Sequence, residues 1–126
     1  MVPYALLKYA EALVDKDVIT IPDVRASIIH SYYAVMLYAR DKWNITKFDS
    51  VHSDVYTKMK SIFPNEARDL HTGKKLREKA SYKITESADS EVYDQLDAHL
   101  ASMRDIFLTI ADEDEDQLEE MAKPLS

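Results

Sequence analysis

The chain has 126 residues, 46% of them hydrophobic, enough for one domain with a continuous core, while one Gly and four Pro leave too few turn-formers for a strand-rich fold. The absence of Cys excludes disulfides and thiolate metal sites. The net charge of −7 is unevenly spread: residues 58–83 carry eight of the sixteen Lys and Arg, and residues 86–120 carry thirteen acidic side chains against Arg104 alone.

Apolar residues recurring at spacings of three and four predict five helices. The first runs from Pro3 through Leu6, Tyr9, Ala10 and Leu13 to about Lys16. Val18 to Ile21 is β-branched and strand-like, but four residues without a partner run do not make a sheet. Pro22, with Thr20 as a cap, opens a long central helix whose inner stripe is Val24, Ile28, Tyr32, Val35, Ala39 and Trp43. Tyr33 is displaced by about 100° from that stripe, placed to line a groove or an interface. Asp49 or Ser50 caps a third helix with Val51, Val55, Met59 and Ile62 inward, and Pro64 stops it.

A fourth helix, roughly 65–82, is striped by Leu70, Leu76 and Ala80 and contains Gly73, which costs about 1 kcal/mol relative to Ala. Ser87 or Ser90 opens a fifth, aligned on Val92, Leu96, Leu100, Met103, Phe107 and Ile110. The expected fold is an all-α, antiparallel up-and-down bundle over residues 1–111, followed by a frayed acidic tail over 112–126. No apolar run reaches the roughly 20 residues that cross a bilayer, so no membrane partner is expected. The first twenty residues lack a basic-then-apolar export pattern, and a cytoplasmic setting is expected.

The four His, at 30, 52, 71 and 99, form no i, i+4 pair with a nearby carboxylate, so no metal is expected. No Gly-rich loop cradles phosphate, no Ser-His-Asp set stands out, and no cofactor is implied. What remains is acid–base chemistry by His and charge stabilisation by Arg, the pair needed when an RNA 2′-hydroxyl attacks its own phosphate. Arg25 and His30 lie five residues apart on one helix, about 140° around it, and cannot converge on one phosphate from one chain.

Three stretches stand in a telling order: Ser27-Ile-Ile-His-Ser-Tyr-Tyr-Ala-Val-Met-Leu-Tyr-Ala39, Val51-His-Ser-Asp-Val55 and Leu76-Arg-Glu-Lys-Ala-Ser-Tyr82. They resemble the landmarks of the small HEPN domains, above all the branch often encoded beside a minimal nucleotidyltransferase. The resemblance covers about residues 3–111 and implies a helical bundle that forms a homodimer. In HEPN ribonucleases the active site is an Arg followed after four to six residues by His, late in the domain and completed across the dimer. Here Arg77 matches the Arg, but Tyr82 stands where the His belongs. The family more often has Arg in place of His30 and His in place of Leu37.

The resemblance makes Arg77, Tyr82, His52 and His30 the catalytic candidates, with Lys74, Lys75, Lys79 and Tyr33 as binding candidates. Tyr82 is also a modification candidate, because in related pairs the nucleotidyltransferase transfers AMP to a tyrosine near this motif. Three functions stay open: an interaction module for a nucleotidyltransferase, RNA or a nucleotide; a metal-independent ribonuclease toxin; and a helical subunit without a ligand, in which basic and acidic faces only balance one another.

Overall fold

A computed structural model describes residues 2–46, 51–112 and 115–122, and the described residues form an all-helical bundle. Its elements are α1 (Val2–Ala12), α2 (Ile21–Lys42), α3 (Val51–Ile62), α4 (Pro64–Tyr82), α5 (Glu86–Ala111) and α6 (Glu115–Ala122). The capping positions Asp49 and Ser50 lie outside the described residues. Each of α1, α4 and α5 packs on α2, which is the central rod.

Side-chain register fixes the helix directions. Ser27 on α2 donates to the Ala10 carbonyl of α1 at 2.7 Å, while Tyr9 meets His30 one turn along. Arg25 reaches the end of α4 at Lys79, Ala80 and Lys83, whereas Tyr32 lies against Arg77. Lys79 meets Glu91 near the α4–α5 corner, and Gly73, further back along α4, faces His99 and Met103. Helices α1, α2, α4 and α5 therefore alternate in direction, with α3 inserted between the second and third of them.

Local chemistry sets the ends. Thr20 accepts the Asp23 amide while Asp23 accepts the Thr20 amide, a reciprocal cap that starts α2 at Ile21. The cap of α5 is Thr85, whose hydroxyl accepts the Ala88 amide, so the helix opens before Ser87 and Ser90. Pro64 both excludes a longer α3 and supplies the first turn of α4. Gly73 does not interrupt α4: a Cβ there would fall 2.7 Å from Met103 Cε, so its missing side chain lets α4 and α5 approach closely.

Two expectations need correction. The first helix ends at Ala12, not near Lys16, and buries Tyr4, Leu7 and Ala10 while Tyr9 is 53% exposed. Its apolar residues occupy more than one stripe, and Leu13 and Val14 carry the apolar pattern past the point where the helix ends. The acidic segment is not a frayed tail. It contains α6, where Leu118 is fully buried in the same core cluster as Tyr4, Leu7 and Phe107. Glu119 holds this helix to α1, accepting from the Tyr4 hydroxyl at 3.0 Å and pairing with Lys8. Leu118, Met121 and Ala122, behind a run of acidic residues, span barely one turn and are too short a periodic signal to read as a helix.

Candidate functional site

The site is built where α2, α3 and α4 meet. Tyr32 and Tyr33, adjacent on α2, present rings tilted at 72° with centroids 5.7 Å apart. The Arg77 guanidinium, brought in by α4, lies 5.4 Å from the Tyr32 ring and 5.5 Å from the Tyr33 ring, a cation–π contact with each. Among the described residues no carboxylate forms an ion pair with Arg77, and its buried Nε has no hydrogen-bond partner. A buried N–H left unmet costs about 1–3 kcal/mol, so the guanidinium is held here at a cost that the described residues' own hydrogen bonds do not offset.

His52, in the first turn of α3, completes the wall. The Tyr32 hydroxyl bonds its Nδ1. Burial raises the Tyr32 phenol well above its ordinary range, so the hydroxyl keeps its proton at physiological pH. Burial, then the nearby Lys74, His71 and Arg77 charges, push His52 down to about 4. The imidazole is therefore neutral at physiological pH. His52 also stacks on Tyr56, 6.4 Å between centroids, and Tyr56 meets the His71 ring at a tilt of 47°.

Arg77, Tyr32, Tyr33 and His52 all line one cleft of about 650 Å³, whose apolar wall is Met36, Leu37, Ile45 and Val51. The combination of an apolar wall, an aromatic ring, a delocalised cation and a neutral imidazole suits a flat ring carrying an anionic group. Arg40 also lines the cleft, with its Nε and Nη2 turned to the Asp41 carboxylate.

The remaining candidates fall elsewhere. Tyr82 is 72% exposed and shares a second groove with Arg77, Lys75, Glu78, Lys79 and Lys83. Lys79 is paired with Glu91, and Lys74 with Glu78 at 3.7 Å. His30 does not join this site: it faces α1 and meets the Tyr9 ring edge-on. Arg25 is held by structural contacts. Its Nη1 donates to the Lys79 and Ala80 carbonyls at 3.1 and 2.9 Å, its Nη2 to the Lys83 carbonyl at 2.6 Å, and its Nε and Nη2 to Asp89. It caps the negative end of α4. Lys42 does the same for α5 through the Ile110 and Ala111 carbonyls.

Sequence reasoning missed His99 as a structural group. Its Nε2 lies 3.2 Å from the Ile28 carbonyl and 3.1 Å from Ser31 Oγ, and burial pushes it down to about 4. The signal was present, since His99 lies three residues after Leu96 and four before Met103 on the buried stripe. Arg25 and Asp89 are 64 residues apart, with no local pattern to connect them. No group of His, Asp or Glu able to hold a metal occurs among the described residues.

Compared with protein-family models, curated proteins and solved structures, the chain matches none of them.

Proposed function

We propose that this chain is a HEPN-like interaction module that binds a nucleotide or RNA through the Arg77 cleft without cutting it. The observation that carries this reading is the Arg77 guanidinium on Tyr32 and Tyr33, its Nε unpartnered, at a cleft that also holds neutral His52. Arg is suited to phosphate because its fork of donors remains charged at any physiological pH.

The reading is non-catalytic for a physical reason. Cleavage by a neighbouring 2′-hydroxyl needs one group to take a proton and another to return it. His52 already engages Nδ1 with Tyr32, and its pKa of about 4 leaves almost no imidazolium at neutral pH to act as an acid. Homodimer formation and pairing with a nucleotidyltransferase belong to the same proposal, on the strength of the sequence resemblance alone.

Equilibrium binding of fluorescent AMP and single-stranded RNA tests it. Binding that weakens with salt and falls at least tenfold in Arg77→Gln is expected. Salt-insensitive binding, or binding unchanged in that variant, contradicts the assignment. RNA cleavage in EDTA that both Arg77→Ala and His52→Ala abolish would instead make the protein a ribonuclease.

A further inference from the structure

The face that α1 and α5 turn to α6 is built like a receptor. Two cations approach the Tyr4 ring, Lys8 Nζ at 5.9 Å and the Arg104 guanidinium at 5.8 Å, and the Tyr4 hydroxyl donates to Glu119 Oε1 at 3.0 Å. Lys8 pairs with the other Glu119 oxygen. Arg104, on α5, donates through Nε and Nη2 to the Glu11 carboxylate of α1 at 3.0 and 3.2 Å, which ties together the two helices that frame the face. Beside this polar end is an apolar socket, where Leu118 is fully buried in the cluster that holds Tyr4, Leu7 and Phe107. Two adjacent α6 residues thus fill two adjacent sites, a seat for an alkyl side chain and a seat for a carboxylate.

The occupant is held less firmly than its seat. Helix α6 has eight residues, short of the roughly 12–15 that an isolated helix needs in water, so it is helical only while docked. Leu118 is its one described buried residue, and Asp116, Gln117 and Glu120 are exposed. The Lys8–Glu119 pair is 44% and 43% exposed, the kind of ion pair that solvent and salt weaken. Tyr4 and Leu7, by contrast, are part of the main core cluster, and α1 is packed along α2.

We infer that α6 is a displaceable strap, and that the α1–α5 face beneath it is a docking surface for an acidic amphipathic helix of another protein, one that presents an apolar side chain followed by a glutamate as Leu118-Glu119 does. The charges are complementary: Lys8 and the Tyr4 hydroxyl select a carboxylate, and the Leu118 socket selects an alkyl group beside it. The resident segment shows which chemistry the face accepts. While α6 is docked, the apparent affinity for a partner helix is lowered by the fraction of molecules in which the face is open. Displacement is a local opening that leaves the bundle standing. This surface lies on α1 and α5, away from the Arg77 cleft, and does not depend on the nucleotide reading.

Two measurements on the full chain test the inference. In amide hydrogen exchange of the wild type, residues 115–122 should be at least a hundredfold less protected than residues 92–107 of α5; equal protection means that α6 leaves only with the whole fold, and overturns the inference. Fluorescence anisotropy then uses a labelled peptide of residues 115–122 as the acidic helix. It should bind the Leu118→Ser chain, whose own strap is released, at least tenfold more tightly than the wild type. Glu119→Gln in the peptide, or Lys8→Gln added to the Leu118→Ser chain, should weaken that binding at least threefold. Equal affinity for the wild type and Leu118→Ser, or binding indifferent to both charge changes, overturns the inference. A wild-type dimer that Leu118→Ser dissolves would make a second copy the occupant, and overturns the assignment to another protein.

Discussion

Arg25 and Arg77 both bring a guanidinium to the contact between α2 and α4, one from each helix. Arg25 spends its donors on three carbonyls at the end of α4 and on Asp89, so its charge is matched by a helix terminus and a carboxylate. Arg77 rests on two aromatic faces with Nε unmatched. His99 and His52 repeat the contrast. His99 is enclosed and tied to Ile28 and Ser31, whereas His52 is tied through one nitrogen and lines a cleft. The same side-chain types thus have their hydrogen bonds completed in one place and left partly open in the other. What separates them is whether the chain itself completes their hydrogen bonds.

The largest expected effects fall on the closed set. Arg25→Ala removes this partner from Asp89 and from the Ala80 and Lys83 carbonyls, while the Lys79 carbonyl keeps the Lys83 amide, and should cost about 3 kcal/mol in urea denaturation; a loss below about 1 kcal/mol would erase the contrast with Arg77. His99 gives a comparable effect through pH. Its folded pKa, about 4, lies below the ordinary 6.5, so the unfolded chain binds the extra proton between those values. Stability from this group is complete above pH 6.5 and is lost as pH falls towards 4, by about 3 kcal/mol. His99→Gln keeps a donor for the Ile28 carbonyl but cannot titrate, so its stability should fall less steeply over that window; parallel curves for the two proteins would contradict the assignment.

Smaller effects sharpen the open set. Arg77→Gln should change stability by less than about 1 kcal/mol, because no buried carboxylate or carbonyl loses a partner. Nucleotide affinity should vary little between pH 7 and 8, above the second ionisation of the phosphate near 6, since His52 stays neutral there with a pKa of about 4; a steep loss of affinity as pH rises through that range would show a protonated histidine in the site. Gly73→Ala should be nearly neutral. The added Cβ crowds only the mobile end of Met103, which can move, and the gain in helix propensity of about 1 kcal/mol offsets the strain. A loss above 2 kcal/mol would mean the α4–α5 contact is rigid.

Much of the fold was legible because it is periodic. Val24, Ile28, Tyr32, Val35 and Ala39 on α2, and Val92, Leu96, Met103, Phe107 and Ile110 on α5, are buried where three- and four-residue spacing places them. The α6 helix was not, because Leu118 is its one described buried residue, and its tethers, Tyr4 and Lys8, lie more than a hundred residues away. The site was legible in part. Short motifs pointed to Arg77, Tyr33 and His52, and the structure brings them to one cleft. They gave no hint that the His52 ring nitrogen is taken by Tyr32, because that bond joins two helices across a segment whose path no local pattern specifies. The motif logic that paired Arg25 with His30 was likewise blind to Asp89 and to the end of α4.

The most direct measurement follows the two arginines in one experiment. In a 15N-resolved NMR titration with AMP, the Arg77 Nε–H resonance should shift saturably while that of Arg25 stays fixed. A stationary Arg77 resonance at ligand saturation, or equal shifts for both arginines, would contradict the account.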